Sequence, residues 1–241
     1  MKIGEISKNV IIVTTTYYRN SKSDKLRAKF ANKMFLNARK FGYAVICYDS
    51  GSDKKIISRF RKTGAKIYID KNISRGEGIR KAIKKALQTK KYIIAWLEPE
   101  KFSYIKELHL TAVPILKKEC DVVIPHRKSM KSYPVMQQHT EAFINMFWEH
   151  ITGTHFDVTF GPRTFIASAA DYFLNYKCKE WDILYAPVIH MLKNGLKIKS
   201  IPVNFSYPPE QKKIEENSTE FYMKRFHQME VIVKALAKNS F

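Results

Sequence analysis

No stretch of this sequence approaches the roughly 18 apolar residues that a membrane span requires, and Met1 to Asn9 lacks the basic start and apolar run of a secretory leader. The expectation is a soluble, cytoplasmic protein. Cysteine is nearly absent: Cys47, Cys120 and Cys178 stand far apart with no C-x-x-C spacing, which points away from a disulfide framework or a zinc cluster and towards reduced core thiols. His126, His139, His155 and His190 show no paired metal-ligand spacing. RNP, zinc-finger and helix-turn-helix signatures are missing, as are internal repeats and low-complexity tracts. Acidic residues are also short, 22 Asp and Glu against 43 Lys and Arg, for a formal net charge of +21. Such an excess implies an anionic partner, whether nucleic acid, phospholipid headgroups or phosphorylated small molecules. Individual lysines such as Lys81, Lys84, Lys85, Lys117 and Lys118 fall on expected helix faces, where lysine is ordinarily solvated.

What is present reads as one α/β domain: 241 residues, 45% hydrophobic, suffice for one large core and not for two comfortable enzymatic domains. After Asn9 comes an unbroken β-branched run to Thr16, the mark of a central strand buried on both faces. Asp24 stands before a helical pattern carrying Leu26, Phe30, Met34 and Ala38 and ending at Gly42. Strands over 43–48, 65–69 and 92–97 alternate with helices over 54–62 and from about Gly78 to Thr89. This order predicts a doubly wound, mostly parallel sheet with right-handed crossovers and a ligand site beyond the carboxyl ends of its strands. The later part predicts helices over 105–118, 137–151, 181–193 and 219–237, strands over 121–124 and 197–203, and an irregular basic loop from Pro125 to Pro134. Phe143, Phe147 and Trp148 at helical spacing, and Trp96 in its strand, read as core.

The loops Thr14–Arg19, Asp49–Asp53 and Glu98–Glu100 would converge on the carboxyl edge. Two carboxylates at a strand end, Glu98 and Glu100, can hold Mg²⁺ or Mn²⁺ through oxygen while leaving positions open for phosphate oxygens. Arg75 and Arg163 offer planar forks suited to phosphate. Gly161 before Pro162 suggests a shaped loop over 157–163.

The joint order of these motifs, from about Val10 to Pro208, resembles the family 2 glycosyltransferases and their polyprenyl-phosphate mannosyltransferase and glucosyl-phosphoglycerate synthase relatives. The resemblance implies a GT-A fold, a Rossmann-like sheet flanked by helices, with a nucleotide-sugar-binding half over about 10–124 and an acceptor-side half over about 125–241. It implies an enzyme that moves a sugar from a nucleotide-diphosphate donor to a glycan, a lipid phosphate or a small phosphorylated acceptor. The segment from Thr14 through Thr16 and Tyr18 to Arg19 would hold the nucleotide base, and the acidic turn of Asp49 and Gly51 the base or ribose. Arg75 and Gly76 would lie beside the donor phosphates. Glu98-Pro99-Glu100 stands where the family has Asp-x-Asp around Mn²⁺ or Mg²⁺, each side chain one methylene longer. The segment from Asp157 to Arg163 is similar to the family's acceptor-facing Asp-x-x-x-Gly-x-Arg region. Asp157 or Asp182 would be the general base of an inverting enzyme, and His227 falls where some retaining relatives complete the metal site.

Two other readings compete. A sugar-phosphate nucleotidyltransferase would use similar carboxylates, but it normally carries a glycine-rich loop after the first strand, and 14–20 contains no glycine. A non-catalytic nucleic-acid-binding protein explains the charge, yet its phosphates would meet the clustered acidic turns. A peripheral contact with an anionic membrane, through His126, Arg127, Lys128 and Lys131, is a variant of the first reading.

Overall fold

The structure is a computed structural model that describes residues 1–240. A short helix, α1 (Ile3–Ser7), precedes β1 (Val10–Thr16), in which Val10 and Ile12 pack into one core layer and Ile11 and Val13 into the other. That two-sided burial is what an uninterrupted β-branched run requires of a central parallel strand. The chain continues through α2 (Lys22–Lys40), β2 (Ala44–Asp49), α3 (Lys54–Arg61), β3 (Lys66–Ile69), α4 (Arg75–Leu87) and β4 (Ile93–Trp96), and these four strands are parallel. α2 begins earlier than Asp24: Ser21 caps it, its side chain accepting from the Asp24 backbone N–H at 3.0 Å.

The second half comprises α5 (Leu108–Leu116), β5 (Val122–Arg127), α6 (Val135–Thr152), β6 (Arg163–Ile166), α7 (Ala170–Asn175), α8 (Ala186–Lys193), β7 (Ile198–Val203), α9 (Pro209–Glu215) and α10 (Thr219–Asn239). The seven strands run in the order β3-β2-β1-β4-β6-β5-β7, with β6 antiparallel to both β4 and β5. The sequence pattern suggested no strand at β6, because four residues opening on an arginine carry no visible period. α7 and α9 are likewise additions to the predicted elements. The expected helix over 181–193 divides into a 3₁₀ turn at Trp181–Leu184 and α8, with Pro187 in the first turn of α8. Of the aromatic trio on α6, Trp148 is buried while Phe143 lies 45% exposed.

A buried ionic network joins β5, α6 and α10. Arg127 bridges Glu141 at 2.5 Å and Asp157 at 2.5 Å, and the other Glu141 oxygen accepts from Arg225 at 2.7 Å. The basic loop of the sequence reading therefore sends Arg127 inward, 8% exposed, rather than toward headgroups. Breaking one partner of such a set leaves a buried charge unmet, so the network holds α10 in a single position across the carboxyl edge.

The segment before α8 is fastened to α4. The Gly76 N–H donates to the Lys179 carbonyl at 3.1 Å, and Arg80 donates to the carbonyls of Tyr176 and Cys178 at 3.0 Å each. A Cβ on Gly76 would stand 2.5 Å from the Cys178 carbonyl oxygen, so only glycine allows this approach. Gly76→Ala is expected to destabilise the fold by about 1–3 kcal/mol, an overpacking cost against backbone, read as a lowered urea midpoint. Gly4→Ala, where a Cβ meets nothing within 4 Å, should leave that midpoint nearly unchanged.

Candidate functional site

The carboxyl edge is shaped first by hydrogen bonds between strand ends. Thr14, fully buried, donates to the Leu97 carbonyl at 2.7 Å and ties β1 to the residue after β4. Asp49, at the end of β2, is also fully buried: it accepts from the Thr16 hydroxyl at 2.7 Å, the Gly51 and Ser52 N–H groups at 2.9 and 2.6 Å, and the Ser52 hydroxyl at 2.5 Å. Its oxygens are spent on the turn, which Gly51 completes at φ +105°. Asp49 and Gly51 thus build the wall of a cleft, and Ser50 between them faces it.

That cleft has an outer chamber of about 790 Å³, walled by Thr15 to Arg19, Ser50, Asn72, Ile73, Arg75, Glu98, Glu100 and Trp181. Thr16, Tyr18, Arg19 and Arg75 are thereby brought together on one cleft. An inner chamber of about 110 Å³ adjoins it, lined on its far side by Gln137, Glu141, Thr159, Phe205, Tyr207, Gln211, Glu215, Arg225 and Gln228. Arg27, Arg75, Glu98, Glu100, Trp181 and Lys224 line both chambers and so mark their junction.

At the junction the charges are arranged unequally. Glu100 accepts from the Tyr18 hydroxyl at 2.8 Å and from Arg27 at 2.7 Å. Burial disfavours its charge, but Arg27 and the Tyr18 hydrogen bond outweigh that and hold the carboxyl below its ordinary range. Glu98 lies 3.5 Å from Lys101, and its Oε2 is buried without a hydrogen-bond partner. Gly161, at φ +98°, lets the 157–163 segment abut this carboxylate; a Cβ there would fall 1.9 Å from Glu98 Oε1. Arg75 stacks over Trp181 at 4.7 Å from the ring centroid. Burial, then repulsion from Arg27, lowers the Arg75 guanidinium. Lys224 enters the cleft from α10; the crowding walls, then Arg27 and Arg75, lower its amine, although its flank stays open to solvent, which limits the fall.

Several residues with expected roles stand elsewhere. Asp157 is bound to Arg127, Asn145 and Thr159, and against its burial Arg127 brings its carboxyl down to about 2, too acidic for a general base near neutrality. Asp182 accepts from the Tyr176 hydroxyl at 3.2 Å and lines neither chamber; its neighbour Trp181 does. Arg163 is fully buried, donating to the carbonyls of Val158, Gly161 and Pro162, and so braces the 157–163 loop from behind. Gly76 is a packing contact of α4, as described. His227 faces outward on α10 toward Glu230 at 3.9 Å, its side chain 56% exposed, because the helix buries Phe221 and Arg225 and sets Lys224 at the edge of that face, on the cleft. Arg27, Lys224, Arg225 and Glu215 also line the cleft, and no sequence motif marks them. Each is a charged residue on a helix, indistinguishable there from a solvated face.

The side chains at the junction do not by themselves make a divalent-metal site. Mg²⁺ wants about six oxygens in near-octahedral array. Glu100 Oε1 is committed to Arg27 and Tyr18, Glu98 Oε1 faces Lys101, and no group of three His, Cys, Asp or Glu side chains suited to a metal occurs among the described residues.

Neither a protein-family model nor a curated protein matches the sequence. The fold is nevertheless that of the GT-A nucleotide-diphospho-sugar transferases, as solved structures show. Mycobacterium tuberculosis glucosyl-3-phosphoglycerate synthase is similar over 99% of this chain and 84% of its own, at TM-score 0.70 and 11% identity. The same protein in complex with Mn²⁺, UDP-glucose and glycerol 3-phosphate gives TM-score 0.71 at 10% identity, over 99% and 84% of the two chains. A Desulfovibrio desulfuricans nucleotide-diphospho-sugar transferase is similar over 95% of this chain and 98% of its own, at TM-score 0.56 and 10% identity. No helix among the described residues is long and apolar enough to cross a membrane.

The Arg127 network carries a pH dependence of defined sign. The Asp157 carboxyl is depressed in the folded state, so its contribution is present above the unfolded value near 4 and is lost as pH falls through about 2. Asp157→Asn is expected to cost roughly 2–4 kcal/mol at pH 7 and to flatten the loss of stability between pH 4 and pH 2, measured by urea unfolding across that range.

Proposed function

We propose that the protein is a glycosyltransferase that takes its sugar from a nucleoside-diphosphate donor. The observation that carries this reading is the divided cleft at the carboxyl edge, in which a chamber bounded by the β1 and β2 loops meets a smaller one across a charged junction. The outer chamber suits a nucleoside: Tyr17, Tyr18 and Ile73 offer apolar surface, and Ser50 and Asn72 offer polar partners for base and ribose. The diphosphate would then lie at the junction against Arg75 and Lys224, with the Glu98 carboxylate on the wall beside the sugar. In the solved neighbours, UDP is accompanied by Mn²⁺ or Mg²⁺.

The inner chamber receives the acceptor. About 110 Å³ holds only a small group, and Lys224 with Gln137, Gln211 and Gln228 around it favours an anionic, hydroxylated one, such as a small phosphorylated acceptor. Transfer breaks the bond between the anomeric carbon and the phosphate oxygen, which keeps the electron pair. The acceptor oxygen bonds to that carbon, and its proton leaves to solvent. Negative charge grows on the departing diphosphate, and cations already aimed at it stabilise that change without reorganising. Asp157 has no part in this scheme as a base, being held by Arg127. The nucleotidyltransferase and nucleic-acid-binding readings gain no comparable support from the cleft.

A thermal-shift panel of UDP-, GDP-, CDP- and dTDP-sugars, each with Mn²⁺ and with EDTA, tests the reading. One donor at a hundred times its dissociation constant should stabilise the fold by about 2.7 kcal/mol, or roughly 5–10 °C for a domain of this size. Ser50→Tyr, which fills the outer chamber, should abolish the shift without lowering the unliganded melting temperature by more than a few degrees. Silence of every donor in both conditions would remove the proposal.

A further inference from the structure

At the position where the resemblance calls for a divalent ion, this chain directs its own cations. Two of them have nothing else to bind. Arg75 makes only its stacking contact with Trp181, and Lys224 has no hydrogen bond or ion pair among the described residues. A third, Arg27, is paired with Glu100, and Lys101 lies beside Glu98. Glu98 and Glu100 therefore already have cations in contact, while neither Arg75 nor Lys224 is in ion-pair contact with a carboxylate. Left empty, these two cations stand in a crowded cleft: burial first, then repulsion from Arg27, lowers the Arg75 guanidinium, and burial first, then Arg27 and Arg75, lowers the Lys224 amine. Such an arrangement persists in a cleft where a dianion normally balances it.

The register of α10 supports the same conclusion. His227 and Lys224 are three residues apart on that helix, and the burial of Arg225 and Phe221 turns the face bearing Lys224 into the cleft and leaves His227 in solvent. The nitrogen delivered to the junction is thus an ammonium, which donates to phosphate and cannot ligate a metal while protonated. The diphosphate of a nucleotide sugar carries two negative charges at neutral pH, the number that Arg75 and a protonated Lys224 supply.

We propose that Arg75 and Lys224, with Arg27 held beside them by Glu100, bind the donor diphosphate directly, so that the nucleotide is taken up without a divalent ion. The proposal rests on the donor site described under Proposed function and adds that its electrostatics are built from side chains. Glu98 and Glu100 then serve as counter-ion, hydroxyl acceptor and brace.

Isothermal titration of the full chain with UDP, GDP, CDP and dTDP, in EDTA and separately in Mn²⁺, decides the matter. The nucleotide that binds should do so in EDTA with a dissociation constant within about threefold of that in Mn²⁺. Lys224→Met and Arg75→Gln should each weaken binding in EDTA by about tenfold or more, as expected on losing a charged donor to phosphate. The same variants should change the affinity for the parent nucleoside, which has no phosphate, by less than about twofold, which also shows that the outer chamber remains folded. Binding that appears only with Mn²⁺ would overturn the inference and leave the glycosyltransferase reading standing. Binding in EDTA that neither variant weakens would overturn the inference as well. Failure of all four nucleotides in both conditions would instead strike the donor-site reading itself.

Discussion

A charge taken out of water must be met by another charge or by several hydrogen bonds, and this constraint organises both ends of the carboxyl edge. At one end, β4 emerges from the core into Glu98-Pro99-Glu100, and the strand end is tolerable because Arg27 and Tyr18 reach Glu100 from α2 and from the loop after β1. At the other, Glu141 on α6 is enclosed only because Arg127 and Arg225 flank it. The first pairing sets the floor of the cleft. The second sets its roof, since Arg225 belongs to α10, and the neighbouring residue on that helix is Lys224. Which cations enter the site and which merely hold it together follows from these two pairings.

The β6 strand plays a corresponding part in the backbone. Inserted antiparallel between β4 and β5, it carries the 157–163 loop to the carboxyl edge, where Gly161 packs against Glu98 and the buried Arg163 satisfies three carbonyls of its own loop. The motif that resembled an acceptor-facing Asp-x-x-x-Gly-x-Arg is here a scaffold. Asp157 fastens it to Arg127, Arg163 braces it from within, and glycine allows it to approach the carboxylates. Only Thr159 of this segment reaches a chamber wall.

Much of the parallel half was legible beforehand. The β-branched run of β1, the acidic turn after β2 and the Glu-Pro-Glu after β4 are local signals, and burial on both faces forces an apolar run whatever surrounds it. The same legibility extended to the place of Tyr18, Arg19, Arg75, Glu98 and Glu100 on the cleft wall, since they lie on or just beyond strand ends and helix starts. It failed for Asp49, whose acidity served the turn rather than the cleft, and for His227, whose face of α10 could not be known from spacing. Where the 3.6-residue period places several charged residues around a helix, as at Lys224, Arg225 and His227, only the contacts of the neighbours decide which one turns inward.

Sequence by itself thus determined the element order through β4, the four parallel strands and the edge at which chemistry would gather, because backbone propensity and hydrophobic period are properties of short segments. Tertiary structure alone decided the partners of each charge: Glu100 with Arg27, Glu141 with Arg127 and Arg225, Asp157 withdrawn, and Arg75 and Lys224 left facing the junction. The physical reason is range. A hydrogen bond or ion pair is fixed by distances of a few ångströms between residues such as Arg27 and Glu100, or Glu141 and Arg225, that lie far apart along the chain, and those distances exist only after the sheet has formed and α10 has closed over its edge.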